Sequence, residues 1–431
     1  MDESRPVSTC GWTLLPPHYP NNIPTIPFYY TLLPLFKEVD QEELYHKYLK
    51  EPLTKWGAVK IFFGGHWNVL ITRPEYMAQV LKNDEDFPKV GNHVKNPHSV
   101  LALYTGENII SAIGDTWRHF ATICKPGLQS NVEFSIMTKN AHVLIGFLLR
   151  EQQRTASVDM LDYVQAYTIA NAERNKPAHT SSAGSWKPRP SFAETAASEY
   201  HFEQNVLITF VAGHENPMIL ILSNLLVLAD RQELQEKVRR EVMSLPIASR
   251  THPDALATLP LLTAIIYETL RMYPPLSQIM NKRTTADVIL GEDILLPAGT
   301  YTGYNGYSTN RNREFWGLDA DVFRPSRWGE TVDDMNILFR RATSKAAFIT
   351  FHGGKRTCLG QKWALAAHRV TMSIFLTSIR WRPDPSWPRR MTPAGPLMPK
   401  NLRLQLERIE VSDRAVHLRR SGRILLATEK G

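Results

Sequence analysis

Cysteine is nearly missing. The chain has three in 431 residues, Cys10, Cys124 and Cys358, and no two of them form a C-x-x-C pair. An odd count without that spacing excludes a disulfide framework and a structural zinc site. The default for such a lone cysteine is a small buried hydrophobe. No Lys/Arg run is long enough for a nucleic-acid tract, although Lys+Arg outnumber Asp+Glu by 50 to 42. The resulting formal charge of +8, with a pI near 9.2, suits an acidic partner or an anionic surface and demands neither. Met1 to Ser8 is charged, and the first apolar stretch, Phe28 to Phe36, is short and broken by Pro34. Neither a signal peptide nor a spanning helix of about 20 apolar residues is expected there. Trp12, Leu14, Leu15, Phe28, Tyr29 and Tyr30 nevertheless suit a peripheral membrane contact.

With 43% hydrophobic and 21% charged residues, disorder is excluded too, and the chain can bury a sizeable core. Residues 11 to 35 are rich in proline and read as an extended lead-in. Two β-rich runs, Ala58 to Phe63 and Trp67 to Thr72, flank Gly64-Gly65 and predict a hairpin. Helical patterns follow at Pro74 to Lys82, Thr116 to Cys124, Asn131 to Gln152, Tyr200 to Ala229, Arg231 to Met243, Leu256 to Met272 and Gln361 to Ile379. Short strands are expected at Val288 to Leu290 and Ile294 to Leu296. Asn175 to Ser198 reads as a loop or linker, and Val411 to Gly431 as a charged tail. There is no internal repeat. The fold class is mainly α with small β-sheets, in one compact unit.

The segment Phe351-His352-Gly353-Gly354-Lys355-Arg356-Thr357-Cys358-Leu359-Gly360 departs from these defaults. Gly353 and Gly354 permit a tight turn in front of the sulfur. Backbone N–H groups at the helix start near Leu359 favour an ionised sulfur. Arg356 is suited to a carboxylate, Phe351 to an aromatic wall, and Gly360 to close packing against a flat ligand. One cysteine beside a glycine turn is weak evidence, but F-x-x-G-x-R-x-C-x-G places five fixed positions in ten. In this segment the sequence resembles the cytochrome P450 family, whose haem-binding signature it matches at all five.

That resemblance implies haem b with Cys358 as the axial ligand, and Arg356, Phe351, Gly360 and Trp117 as further haem contacts. It extends from about Pro24 to Glu410, which leaves 1–23 as lead-in and 24–410 as the domain. Glu268 and Arg271, followed by Met272-Tyr273-Pro274-Pro275, resemble the family's Glu-x-x-Arg helix. Arg327 in Phe323-Arg324-Pro325-Ser326-Arg327-Trp328 resembles the third member of its charge network. The oxygen-side helix departs from the pattern: Ala212-Gly213-His214-Glu215-Asn216-Pro217 keeps the small residues and the acid but has Asn216 for the usual threonine. Gly213, Glu215 and Asn216 are the candidate catalytic residues. Asn216 donates hydrogen bonds but relays protons poorly, and Pro217 is expected to kink the helix. The alternative is that His214 and Glu215 simply face solvent. The arginine usual four residues after Trp117 is Ala121, so haem retention would rest on Arg356, Trp117 and Arg283.

Gly106 to Ser111, Lys125 to Gln129 and Gly213 to Asn216 are similar to a fungal branch that includes the enzyme forming a dityrosine spore-wall precursor. The resemblance implies a monooxygenase fed by NADPH-cytochrome P450 reductase, with a small substrate of amino-acid origin or one from secondary metabolism. Lys355, Lys362 and Arg380 would face the reductase. It further implies the endoplasmic reticulum surface, or the cytoplasm if no anchor exists. Between Gln129 and Gly213 the chain is too short for all the family's distal helices. A haem-binding but catalytically impaired remnant, and a structural protein in which Cys358 is only core, are the rival readings.

Overall fold

The computed structural model describes residues 15–129, 134–174, 196–392 and 395–409. Met1 to Leu14 of the lead-in, Asn175 to Thr195 of the expected linker and the tail beyond Ile409 lie outside the described residues. Helices dominate, and the longer ones are α1 (Pro74–Lys82), α2 (Gly114–Gln129), α3 (Ser135–Gln152), α4 (Leu161–Arg174), α5 (Ala196–Ala229), α6 (Gln232–Ser244), α7 (Pro260–Met272), α8 (Val332–Ser344) and α9 (Gln361–Ser378).

The Gly-Gly hairpin forms as expected: β1 (Ala58–Phe63) pairs antiparallel with β2 (His66–Ile71), and Gly64 and Gly65 both take positive φ. Only residues without a side-chain penalty tolerate two such angles in a row. The sheet is completed by residues distant in sequence. The parallel neighbour of β2 is Tyr301–Asn305, which in turn pairs antiparallel with Gln278–Arg283 across a bulge at Ile279/Lys282. Periodicity reports faces, not partners, so this pairing was not legible beforehand. Val288–Leu290 and Ile294–Leu296 form the expected second hairpin.

Several boundaries differ from expectation. The lead-in is not wholly extended, since Phe28–Leu32 is a 3-10 turn and Leu33–Phe36 a short helix. Pro34 is tolerated there because the first turn of a helix has no use for its N–H. The expected Leu256 to Met272 helix breaks at Leu259, and Pro260 starts α7 for the same reason. Helices α4 and α8 were not anticipated, although Thr331 and Asp334 form a capping box that opens α8. Helix α5 runs through Pro217 without interruption.

Helix α5 organises the interior. Met218 to Ala229 is buried on every side, packed among α4, α6, α7 and α9. Val206 to Pro217 is only partly covered. By length and apolarity Tyr200–Ala229 is also the one described stretch that could cross a membrane.

The Glu268 carboxylate, on α7, ties the core to the segment that follows. It accepts from Arg271 Nε and Nη2, both at 2.8 Å, Arg327 Nε at 2.9 Å, Trp328 Nε1 at 3.0 Å and the Arg324 N–H at 2.8 Å. All three charged side chains are at most 3% exposed. The family's expected network is thus assembled in full. From Arg271 the chain of bonds continues through the Asn310 carbonyl, while the Asn310 side chain holds Thr350 and the Ile349 N–H. Thr350 also bonds Leu270 O. The residue next to Phe351 is therefore fixed from α7.

Two predictions follow from buried charge. Glu268→Gln leaves two buried guanidinium groups short of their anion, so denaturant unfolding should register a loss of about 3–5 kcal/mol. His368 on α9 is held neutral, chiefly by burial and then by Arg369, with its pKa pushed down to about 3. The unfolded chain binds that proton near pH 6.5, so folding stability should be complete above that pH and fall as pH drops towards 3. The slope is at most about 1.4 kcal/mol per pH unit, and His368→Asn should flatten it.

Candidate active site

Three walls meet around Cys358. The first is its own loop, Phe351 to Gly360, which leads into α9. Gly354 adopts φ +65°, and a Cβ there would come within 2.4 Å of Leu81 O at the end of α1. The second left-handed residue of the loop is His352, φ 64°. Gly353 is extended and lies close to Leu81 instead. The Cys358 N–H donates to Phe351 O at 2.9 Å, which closes the loop. The Gly360 and Gln361 N–H groups point at the sulfur and favour its ionised form. Burial outweighs them, and the thiol pKa is raised. One side of Cys358 stays exposed all the same. Backbone donors alone therefore do not keep this sulfur ionised, and a cation bound to it would complete the task.

The second wall is α2 with the loop before it. Trp117 lies under the Arg356 guanidinium, 4.5 Å from ring centre to Cζ. Arg356 donates to Ile109 O and Ile110 O at 3.3 and 3.1 Å. Trp117, Ala121, Cys124, Ile208 and Leu359 gather on Ile109, Ala112 and Phe120 in one apolar cluster. The third wall is the half-covered part of α5. Asn205 Oδ1 accepts the Ile109 N–H at 2.8 Å, which locks α5 to the second wall.

The sequence candidates distribute unevenly. Gly213 and Gly360 both face open space, since a Cβ on either would meet nothing within 4 Å. Asn216 keeps a buried Oδ1 with no partner, and Glu215 is partly covered. His214 turns back on its own helix, its Nδ1 2.8 Å from Phe210 O. Phe351 packs on the main core and stands 6.4 Å from Phe339 between ring centres. Arg283 does not join the site: it donates to Gly299 O and stacks on Tyr301. Lys355 and Lys362 are exposed beside the loop. Arg380 is elsewhere, past the far end of α9, which spans about 27 Å at 1.5 Å per residue, and it pairs with Glu236.

Sequence reading missed a basic group behind the loop. Lys89 is 8% exposed and Lys282 3% exposed, and both lie close enough to Arg356 and His352 to repel them. Burial, with these cations, holds His352 neutral, and its Nδ1 meets Tyr304 OH at 3.1 Å. Burial also lowers Arg356 to about 10. Nothing in the Asp-Phe-Pro-Lys run at 86–89 signals this; only the fold brings the group together.

These features suit haem. The sulfur is accessible, two glycines leave room for a flat ring, and cationic side chains stand where acidic substituents need partners. Ala121, where the family pattern has a basic residue, and Asn216, where it has a threonine, run against that pattern.

Comparison with known proteins agrees. The family described as cytochrome P450 matches residues 193–406. Cytochrome P450-DIT2 of Saccharomyces cerevisiae is 37% identical over 91% of this chain and 94% of its own length. Cytochrome P450 monooxygenase xanG of Aspergillus fumigatus is 30% identical over 89% and 87%. These alignments run to 466 and 467 positions against 431 residues here, so this chain is shorter inside the matched span. A solved haem domain of a cytochrome P450DA mutant shares the fold, with a TM-score of 0.68 at 15% identity over 90% of this chain and 98% of that one. A mainly helical chain with small sheets, matched along nearly its whole length by fungal monooxygenases, belongs to the cytochrome P450 family, the oxidoreductases that use molecular oxygen at a haem b held by a cysteine thiolate.

Proposed function

We propose that Cys358 is the thiolate ligand of the haem and that the chain oxidises a small phenolic substrate of amino-acid origin. One observation carries the assignment: the Cys358 sulfur is accessible on one side and faced by two backbone N–H groups on the other. Cys124, by contrast, is held in the apolar cluster on α2, where burial raises its pKa to about 11. Kinship with the DIT2 branch supports the substrate class.

When bound, the haem supplies dioxygen activation, which a thiolate ligand favours by pushing electron density onto the iron. In the overall reaction one oxygen atom enters the substrate and the other leaves as water, with two electrons and two protons supplied. The electrons come from NADPH-cytochrome P450 reductase at the endoplasmic reticulum surface. Its acidic face would dock on the exposed Lys355 and Lys362. Trp117 and Arg356 would hold the haem, Phe351 would shield Cys358, and Gly360 would let α9 pack closely against the bound group. On the opposite side Gly213 leaves room for dioxygen and substrate. Glu215 takes protons from solvent, and the Asn216 amide donates a hydrogen bond in place of the threonine hydroxyl.

The shorter internal span favours a second reading, a haem protein with impaired turnover. Val100, Leu103, Tyr104, Ile110 and Ile113 are exposed near α5. Water entering from that side would divert reducing equivalents. NADPH consumed without product would identify this state.

In reduced protein under carbon monoxide, the red-shifted Soret band of a thiolate ligand is expected. Cys358→Ser should abolish it and Cys124→Ser should not; a band that survives Cys358→Ser overturns the assignment. Asn216→Thr restores a hydroxyl relay. It should raise product formed per NADPH by about tenfold, a modest share of what a positioned proton donor contributes.

A further inference from the structure

Gly213 and Pro217 of α5, Tyr167 and Asn171 of α4, and His368 and Thr371 of α9 line one small cavity. Its volume, measured at the centres of water molecules, is about 20 Å³, and about 10–15 Å³ is enough for one. A water held inside a protein also needs roughly two to four polar partners. Two are ready on opposite walls. His368 is 3% exposed and stays neutral. Asn224 Nδ2 donates to its Nε2 at 3.1 Å, which leaves the ring proton on Nδ1. Among the described residues that Nδ1 has no partner. The second group is the Gly213 carbonyl. In a regular helix it accepts from the N–H four residues on, but that residue is Pro217, which has none. A free donor and a free acceptor thus border the same space.

Side chains mark a polar way into the cavity from α3. Asn140, partly buried on that helix, donates to Asn171 Oδ1 at 2.8 Å, and Asn171 bonds the Tyr167 hydroxyl. Tyr167 meets Thr371 Oγ1 at 2.8 Å. Thr371 gives its own proton to Ala367 O at 2.9 Å, so Tyr167 is the donor of that pair. On the α5 wall Gly213 presents no side chain, and a Cβ there would meet nothing within 4 Å. Asn216, three residues on, keeps its buried and unpartnered Oδ1. The cavity therefore adjoins the stretch of α5 assigned to the oxygen side.

We propose that this cavity binds a water that accepts from His368 Nδ1–H and donates to the Gly213 carbonyl, and that solvent protons reach the oxygen side through it. The role rests on the haem reading above. Asn216 relays protons poorly, whereas a water both donates and accepts. The cavity water thus stands in for the hydroxyl that Asn216 lacks, as a route additional to Glu215. A proton that leaves it past Gly213 is replaced from solvent along the Asn140 to Thr371 wall, so the site ends each turnover as it began. His368 is a positioning residue here: it fixes the water and touches neither dioxygen nor substrate.

The test has two arms. In crystals of the full-length protein, density for a water is expected within hydrogen-bond distance of both His368 Nδ1 and Gly213 O. His368→Leu removes the donor, and Pro217→Ala returns an N–H to the carbonyl; each should expel the water. Pro217→Ala only regularises a helix, so it should fold even where His368→Leu does not. The second arm takes the haem-loaded protein with reductase, NADPH and oxygen, without substrate, and measures hydrogen peroxide against NADPH consumed. Dioxygen leaves as peroxide after two electrons and two protons, and as two waters only after four of each, so the ratio reports proton supply. Pro217→Ala should raise peroxide relative to water about tenfold, a modest share of what a positioned proton donor contributes. In an Asn216→Thr background, where a hydroxyl relay is restored, Pro217→Ala should leave the ratio unchanged.

A crystal with no water between His368 and Gly213 overturns the inference. So does an unchanged ratio in Pro217→Ala. An equal rise with and without Asn216→Thr means a change in helix shape and overturns it too. A protein that shows the cavity water but takes up no haem refutes the haem reading and the proton role with it, while the water site stands; the two failures are thus distinct.

Discussion

The Glu268 carboxylate is the constraint on which the rest of this structure leans. A fully buried anion survives only because two guanidinium groups, an indole N–H and a backbone N–H surround it. Those donors come from α7 and from Arg324, Arg327 and Trp328, more than fifty residues later. Satisfying one carboxylate therefore fixes the path of the intervening chain, including Asn310, which carries the restraint on to Ile349 and Thr350. The cysteine loop starts one residue further on. Its geometry is inherited from an ion pair that has no part in the chemistry.

Two kinds of buried charge are present, and they differ in purpose. The Glu268 network is closed, with every charged member paired. The Lys89 group is open, with positive charge left over around His352 and Arg356. A closed network fixes position, whereas an open one is suited to a ligand of opposite sign. The same distinction applies to polar atoms: the Asn216 side-chain oxygen is buried without a partner on the helix that faces Cys358. The sulfur belongs with the open set, since burial raises its pKa in spite of two N–H groups aimed at it.

Local signals in the sequence carried much of this. The Gly-Gly hairpin, α1, α9 and the Cys358 loop were legible because glycine, proline and helical spacing act over a few residues. The Glu-x-x-Arg pair was visible as a spacing, and Arg327 only through resemblance. Misreadings had physical causes as well. Proline in the lead-in was taken to exclude helix, yet first-turn positions accept it. The expected turn does use both glycines, in different ways: Gly354 takes a left-handed angle, whereas Gly353 is extended where the loop presses on Leu81.

The sequence by itself determined the family, the helical character and which cysteine lies in the family's haem-binding signature, because those depend on residue types at fixed short spacings. Tertiary structure alone decided that β2 pairs with a strand more than two hundred residues away, that Arg283 and Arg380 make their contacts elsewhere, and that Lys89 and Lys282 gather behind the Cys358 loop. Charge surplus is a property of neighbours in space. Lys89 is ordinary in the chain and becomes unusual only when folding removes its water and places Lys282 and Arg356 around it.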